Sequence, residues 1–249
     1  MTVRSAAIVN PMLGSRARTF AVPETVRAAA LNPVEHRCTR RERRGALAVK
    51  RGLDVVGATV GLLLSIPIIG LAMLAIALDS RGAVLFHQTR VGRDGRWFRV
   101  HKLRTMRVGN DDAEHAAYVA ALIAGDAARD GALFKLRDDA RCTRVGRFLR
   151  RTSIDELPQL WNVLKGDMSL VGPRPIVPDE IHHYNGEGPL LLSLKPGMTG
   201  QWQVSGRSAV HYPERAAVEL EYVEGWSLWR DLGIMLRTLP AVLAARGAH

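Results

Sequence analysis

The residues best suited to chemistry in this sequence are two adjacent carboxylates, Asp155 and Glu156, in the segment SIDELPQL. Arg150 lies just upstream of them, Arg174 lies between two prolines, and Arg207 lies in a glycine-containing segment, SGRS. An arginine guanidinium is a planar fork that matches the oxygens of a phosphate. A carboxylate at a helix N-terminus, surrounded by arginines, is held ionised and can receive a phosphoryl group. This pattern predicts phosphoryl transfer.

The same segment also fits an ordinary helix start. Ser153 followed three residues later by Glu156 has the spacing of a capping box, and Asp155 would then only interact with the positive end of the helix dipole. Pro158 is tolerated only in a first turn, which leaves the helix start at Ser153, at Asp155 or later. A helix over residues 154–165 would bury an apolar stripe and place polar residues on the opposite face. The stripe is Ile154, Leu157, Leu160, Trp161 and Leu164, and the polar face is Asp155, Gln159 and Asn162.

An apolar block upstream of the two carboxylates is the strongest compositional signal in the sequence. Residues 55–78 contain no charge over 24 residues, about 36 Å of helix, which is long enough to cross a bilayer. Basic residues flank both sides of the block, so the charge distribution gives no orientation for a straight span. Pro67 lies inside the block, where a proline bends a helix, and Ser65 can bond a freed backbone group. We therefore expect a helix that is broken near Ser65–Pro67 and leaves the membrane by the face it entered, rather than a full span or a buried core helix.

The remaining segments predict an α+β fold that is mostly helical. Alternating apolar residues around Gly92, Asp94 and Gly95 predict a β-hairpin. Leu228, Leu232, Met235, Leu239 and Leu243 share one face of a C-terminal helix, which favours an amphipathic helix at a core or a lipid surface. The expected domains are an Arg- and Ala-rich arm at 1–46, the membrane helix at 47–80 and a catalytic domain at 81–249.

The overall charge and the cysteines limit the partners and the redox chemistry. The chain of 249 residues has a formal charge of +11, which indicates an anionic partner such as nucleic acid, anionic lipid or a phosphorylated small molecule. Cys38 and Cys142 are the two cysteines, and their spacing suggests neither a disulfide framework nor a zinc site.

Several motifs in order resemble the bacterial sugar transferases, which are monotopic polyprenyl-phosphate phosphoglycosyl transferases. The resemblance covers about four fifths of the chain from residue 50 onward. It is carried by KRGLD, KLRTM, RRTSIDELPQLWNVLKGDMSLVGPRP, KPGMTGQWQVSGRS and DLGIMLRTLPAVL.

The resemblance implies an activity and gives each candidate residue a role. The implied reaction transfers a sugar 1-phosphate, of a hexose rather than a diacetamido sugar, from a UDP-sugar to undecaprenyl phosphate and releases UMP. Asp155 would attack phosphorus and form a covalent phosphosugar intermediate, and Glu156 would help hold Mg²⁺ at the diphosphate or handle protons. With Asp155, Glu156 would form the metal site. Substrate phosphates would be held by Arg150, Arg174, Arg207 and Lys102.

The resemblance also implies a place in the cell. The re-entrant helix would lie in the inner-membrane lipid of a bacterium, with a compact catalytic domain on the cytoplasmic face and amphipathic helices at the interface. The reaction would begin exopolysaccharide or glycoconjugate synthesis. No nucleic-acid partner is expected, and a homo-oligomer is left open.

Other interpretations of the sequence stay open. A non-catalytic membrane adaptor would use the basic surface to bind anionic lipid, with the two acids acting only as caps. A nucleic-acid-binding protein would explain the charge but not the apolar block. Arg150, Arg207 and Lys102 also fit surface residues, the last with an aliphatic stem lying along apolar surface.

Overall fold

A computed structural model describes residues 40–107, 141–184, 186–205 and 212–243. These residues are mostly helical, with one two-stranded hairpin and one further pair of short strands. The predicted α+β character is thereby confirmed. The helices are α1 Arg40–Asp79, α2 Arg144–Thr152, α3 Gln159–Lys165, α4 Gly188–Leu191, α5 Gln201–Val204, α6 Tyr212–Glu224 and α7 Leu228–Leu243. The strands are β1 Leu85–Val91, β2 Trp97–Leu103, β3 Ser169–Val171 and β4 Gly197–Thr199, and three 3₁₀ turns span Arg93–Gly95, Ile154–Glu156 and Pro178–Tyr184.

The long helix α1 contains the apolar block and is long and apolar enough to cross a membrane. Within the described residues it runs from Arg40 to Asp79, and its helical backbone continues across Ser65 and Pro67. The helix that was predicted to be broken near Ser65–Pro67 is therefore continuous through these residues. Ser65 Oγ donates to Leu62 O at 3.1 Å instead, which is the local bonding that a serine in an apolar helix uses.

One face of α1 packs against the rest of the protein along its length. The buried residues recur at intervals of four and seven, the period of one helix face. They are Lys50, Asp54, Ala58, Ser65, Ala72 and Ile76. Large apolar side chains on the other faces are exposed, among them Leu64 at 72% and Leu78 at 81%. The helix therefore presents a wide apolar surface away from the protein.

The hairpin of β1 and β2 forms at the predicted position. Leu85 pairs with Leu103 and Val91 with Trp97 in an antiparallel ladder. Asp94 (φ 56°) and Gly95 (φ 74°) turn the chain in the left-handed region, which Gly and Asp tolerate better than most residues. Phe98 and Val100 of β2 pack with Ala58 of α1 and Val163 of α3 in one core cluster.

The parallel pair β3 and β4 includes part of the segment KPGMTG, whose proline and glycines are typical of a loop. Ser169 pairs with Gly197 and Val171 with Thr199. Gly172 and Gly197 lie back to back, because a Cβ on Gly197 would come 2.1 Å from Gly172 N. Proline and glycine mark these segments as loops in a sequence, but here the glycines allow two backbones to approach closely.

The C-terminal helices complete the core. Tyr222 of α6 and Ile234 of α7 pack with Val171 of β3. The predicted apolar stripe of α7 does not face this core, since Leu232 is 46% and Met235 43% exposed while Asp231 and Ile234 are buried. Residues 111–124, whose sequence pattern is typical of a helix, lie outside the described residues.

Candidate active site

A left-handed residue at the end of α2 creates the turn that carries the two carboxylates. Ser153 ends α2 with φ 58° and ψ 17°, and its N–H donates to Arg150 O at 3.2 Å. The 3₁₀ turn Ile154–Glu156 follows at once, and Ser153 makes no side-chain capping bond to it. The capping-box interpretation of Ser153 and Glu156 is therefore wrong, because α3 begins only at Gln159, after Pro158.

The two carboxylates lie in different environments. Asp155 is buried, with 8% of its surface exposed. The Glu156 side chain is 39% exposed, and its Oε1 accepts a hydrogen bond from Lys102 Nζ at 2.8 Å. Lys102 comes from β2, so the hairpin reaches the turn directly. Because Lys102 forms this ion pair, the interpretation in which its side chain only lies along apolar surface is wrong.

The polar face of α3 is turned inward. Gln159 and Asn162 are buried, whereas Trp161, predicted to be buried, is 55% exposed. Asn162 Nδ2 donates to Arg99 O at 2.7 Å, and Asn162 Oδ1 accepts from the His101 N–H at 3.1 Å. The amide thus fixes α3 to the strand that carries Lys102. The apolar-stripe prediction is wrong at Trp161, but Leu160 of the stripe is buried and Leu157 and Leu164 pack against the same core cluster.

Arg150 lies in the last turn of α2, and its carbonyl accepts the bond that closes the chain reversal at Ser153. Its Nη1 donates to Cys142 Sγ at 2.8 Å, and the residue is half-buried. A cation suits the negative end of a helix dipole. Arg150 therefore belongs to the segment that shapes the turn. Its partial exposure is also compatible with a surface residue.

Arg174 follows β3 between Pro173 and Pro175, and acidic side chains contact both its backbone and its guanidinium. Its N–H donates to Glu219 Oε1 at 3.3 Å, and its Nη1 lies 3.5 Å from Glu180 Oε1. The side chain remains 28% exposed. A cation fixed at its base and partly exposed at its tip suits a phosphate ligand.

Arg90 is a site residue that the sequence analysis missed. Burial and then the neighbouring Arg174 lower the pKa of Arg90 from its ordinary value to about 10, and Glu156 is among the groups that raise it. Arg90 therefore lies within electrostatic range of both Arg174 and Glu156. The period of two in β1 could have found it, because Phe86 and Arg90 share a face and Phe86 pairs with Lys102.

Glu180 is the second missed residue. Burial alone would raise the pKa of Glu180, but Arg174, Arg90 and Arg215 together hold it below its ordinary value. The carboxylate accepts a bond from Val177 N at 3.2 Å. Its ionised form is thus stabilised between arginines. Sequence alone gave no signal, because Glu180 lies in a 3₁₀ turn without an amphipathic period.

The structure brings Lys102 into contact with Glu156, and it places Arg90 in electrostatic range of Glu156 and Arg174. Arg207 lies outside the described residues. Among the residues that the structure describes, no three side chains of His, Cys, Asp or Glu are grouped so as to hold a metal ion. Adjacent carboxylates nevertheless suit Mg²⁺, which one or two carboxylates commonly bind together with waters and substrate phosphates.

Comparison with known proteins matches residues 45–245 to the family model "Bacterial sugar transferase". The galactosyl transferase CpsE of Streptococcus agalactiae is 44% identical over 203 residues, which cover 81% of this chain and 44% of that protein. The exopolysaccharide production protein ExoY of Rhizobium meliloti is 42% identical over 80% of this chain and 88% of its own length. A Caulobacter vibrioides protein named UDP-glucose:undecaprenyl-phosphate glucose-1-phosphate transferase is 44% identical over 80% of this chain and 72% of its own. The chain therefore spans less than half the length of some relatives and most of the length of others.

Proposed function

Because this chain belongs to the bacterial sugar transferase family, we propose that it transfers a sugar 1-phosphate from a UDP-sugar to undecaprenyl phosphate and releases UMP. The observation that carries the proposal is the 3₁₀ turn that buries Asp155 and leaves Glu156 bonded to Lys102. The names of relatives, a galactosyl transferase and a glucose-1-phosphate transferase, support a hexose as the sugar. The reaction is the first membrane step of exopolysaccharide or glycoconjugate synthesis.

The chemistry proceeds in two displacements at one phosphorus atom. A carboxylate oxygen of Asp155 attacks the phosphorus that carries the sugar, and the bond to UMP breaks with its electron pair leaving on UMP. A phosphate oxygen of undecaprenyl phosphate then attacks the same phosphorus and displaces the aspartate. The Asp155 carboxylate is regenerated, and the sugar 1-phosphate is joined to the lipid. Covalent catalysis of this kind divides one difficult transfer into two easier steps.

The surrounding cations serve mainly to position the substrate and stabilise its charge. Phosphoryl transfer needs little more from a protein than alignment and electrostatic stabilisation. Lys102 already lies 2.8 Å from Glu156, and Arg174 presents a partly exposed guanidinium. Arg150 and Arg207 are proposed to bind the same diphosphate. In this arrangement Lys102 and the arginines hold the oxygens that gain charge as UMP leaves.

Glu156 and Asp155 are the residues that would hold Mg²⁺. The fit rests on two hard oxygen donors on one turn, of which Glu156 is 39% exposed and accessible to a cation that retains water ligands. When bound, Mg²⁺ would neutralise part of the negative charge of the diphosphate. Lys102 supplies a second positive charge at the same carboxylate.

Contacts at both ends of α1 support a re-entrant path in the membrane. Lys50 near one end pairs with buried Asp231, whereas Arg104 donates to Ser80 O just beyond the other end, at 2.6 Å. Residues 50 and 80 of a straight helix would lie roughly 45 Å apart, more than the hydrocarbon thickness of a bilayer, which is about 30 Å. A straight span would place folded, polar parts of this protein inside the bilayer. We therefore infer a monotopic protein of the bacterial inner membrane with its catalytic part on the cytoplasmic face.

Release of UMP tests this function. Membranes or detergent micelles with the wild-type protein should release UMP from a UDP-hexose when Mg²⁺ and undecaprenyl phosphate are present, and chelation of Mg²⁺ should stop the release. Asp155→Asn should lower turnover by at least about a thousandfold, since it removes the nucleophile. Asp94→Asn, at an exposed acid on the hairpin turn, is the matched control and should turn over at the wild-type rate.

Equal turnover in wild type and Asp155→Asn would exclude Asp155 as the nucleophile. An absence of UMP release across a panel of UDP-sugars, together with lipid binding unchanged by Asp155→Asn, would instead favour the non-catalytic adaptor.

A further inference from the structure

A buried chain of charges links the hairpin to Arg174. Glu180 lies between two guanidinium groups, with Oε2 4.0 Å from Arg90 Nη1 and Oε1 3.5 Å from Arg174 Nη1. The side chains of Arg90 and Glu180 are 13% and 12% exposed, whereas that of Arg174 is 28% exposed. Arg174 is thus the member of the chain that substrate can reach, and the other two lie behind it.

Arg90 is fixed against the loop that carries Arg174. Its Nη1 donates to Pro175 O at 3.1 Å, and its Nη2 donates to Gln88 Oε1 at 2.6 Å. The adjacent Val91 N–H donates to Ile176 O at 2.9 Å. Backbone and side chain of β1 therefore hold the same loop, and the position of the Arg90 charge is determined by the hairpin rather than by Glu180.

The distances in this chain indicate that Glu180 is shared rather than committed to Arg174. Charge-assisted N–H···O bonds are commonly about 2.7–2.9 Å, and the 3.5 Å contact to Arg174 is longer. The other Glu180 oxygen accepts from Val177 N and faces Arg90. Without the Arg90 charge, the carboxylate would be drawn further onto Arg174, where it would compete with a substrate phosphate for the same donors.

Resting on the proposed function, we propose that Arg90 is a positioning residue that holds Glu180 away from Arg174 and so keeps Arg174 available to the diphosphate of the donor. Arg90 acts through Glu180 in this account and need not touch the substrate. Arg215 also interacts electrostatically with Glu180, and its Nε lies 3.7 Å from Glu219.

A double-mutant cycle tests the inference through the KM for the UDP-sugar. Arg90→Gln should raise this KM about tenfold, with a smaller change in kcat, because Glu180 then occupies Arg174. Arg90→Gln combined with Glu180→Gln should recover at least about threefold of that loss, since the competing carboxylate is gone. Arg90→Lys should lie between wild type and Arg90→Gln, since it keeps a charge near Glu180. Arg99→Gln, at an exposed arginine of β2, is the control and should keep the wild-type KM.

A purely packing role for Arg90 makes the opposite prediction, because removing a second buried group cannot repair lost packing. The inference is overturned if the double variant has a KM equal to or higher than that of Arg90→Gln, or if Arg90→Gln keeps the wild-type KM. Thermal unfolding of each variant identifies any that do not fold. If Arg90→Gln does not fold, Arg90→Lys with and without Glu180→Gln gives the same comparison. A wild-type protein that releases no UMP would overturn the proposed function itself, an outcome distinct from a failed cycle in an active enzyme.

Discussion

Adjacent carboxylates can take different roles because a 3₁₀ turn points them in different directions. Successive side chains on such a turn are about 120° apart, and here one is buried while the next is bonded to a lysine. Asp155 is 8% exposed, and Glu156 pairs with Lys102 at 2.8 Å. We propose the buried Asp155 as the nucleophile, because its carboxylate is the more shielded from water. Glu156, which is more exposed, interacts with the Lys102 ammonium group.

Two histidines outside the site are expected to make the stability of the fold depend on pH. His87 and His101 are directly opposite on the hairpin, with their Nδ1 atoms 3.0 Å apart. Burial, and then the neighbouring His87, lower the pKa of His101 below its ordinary value of 6.5. His101 therefore binds a proton less readily in the folded chain than in the unfolded chain. The free energy of unfolding should have its full value above the ordinary pKa of histidine and should decrease as the pH drops through that pKa.

Thermal unfolding of His101→Gln tests this prediction. Between about pH 7.5 and pH 5.5, its midpoint should fall less than that of wild type, because the group that resists protonation is absent. Thr89→Gln, at an exposed position of the same hairpin, should retain the wild-type pH dependence. The same slope in His101→Gln and wild type would contradict the assignment.

At the scale of elements, one glycine sets how closely α2 approaches the end of β2. A Cβ built on Gly146 would lie 2.0 Å from Thr105 O and 2.8 Å from Thr105 Cα, and both are backbone atoms that cannot rotate away. Thr143 N also donates to Thr105 O at 3.1 Å. The helix that leads into the Asp155 turn is therefore seated directly on the chain that leaves the hairpin.

Gly146→Ala should destabilise the protein by about 1–3 kcal/mol, the usual cost of overpacking, although alanine is the better helix former. Turnover should fall as well, since α2 must move and carries Arg150. Gly52→Ala in α1 is the control, because a Cβ there meets nothing within 4 Å, and it should be neutral or slightly stabilising. Thermal unfolding in detergent measures both, and an equally stable Gly146→Ala would show that the helix does not need this close approach.

The elements that the sequence predicted well are those with a strong periodic or turn signal. The hairpin around Gly92 and Gly95 and the C-terminal helix formed as expected. Asp155 and Glu156 are neighbours in one segment, so a local motif is enough to propose them together. Lys102 is distant in sequence and was proposed only through the family resemblance, and it contacts Glu156 in the fold.

Features that depend on distant parts of the chain were not predictable in the same way. The exposure of Trp161 and the burial of Gln159 and Asn162 were not predicted, and Asn162 bonds backbone groups of β2, a strand about sixty residues away in sequence. Arg90 and Glu180 belong to the site only through tertiary contacts. The pairing of β3 with β4 likewise needs two glycine backbones that no local pattern joins.

At the scale of the whole molecule, the protein is tied to α1 at both ends, which argues for a helix that does not cross the bilayer. Near the N-terminal end, Arg51 donates to Val163 O and Leu164 O at 2.6 and 2.7 Å. Beyond the C-terminal end, Arg104 donates to Ser80 O and Arg81 O. The exposed apolar side chains lie between these ties. These contacts fit the proposal that the protein approaches the membrane from one side.

Cysteine accessibility tests this topology in a Cys38→Ser background, where the remaining Cys142 is buried. Val49→Cys and Arg81→Cys should both react with a membrane-impermeant maleimide in inverted inner-membrane vesicles, and neither should react in intact spheroplasts. Leu64→Cys, at a 72% exposed position in the middle of the apolar surface, should react only after detergent is added. Labelling of Val49→Cys and Arg81→Cys from opposite sides would contradict the re-entrant path.

Trapping the covalent intermediate shows whether Asp155 becomes bonded to phosphorus during turnover. Wild-type protein incubated with a UDP-hexose and Mg²⁺, without undecaprenyl phosphate, and then quenched and digested, should yield a peptide in which Asp155 carries a hexose phosphate. The adduct should disappear when undecaprenyl phosphate is added before the quench, and Asp155→Asn should form none. Product that accumulates at the wild-type rate while no adduct forms on Asp155 would contradict the account.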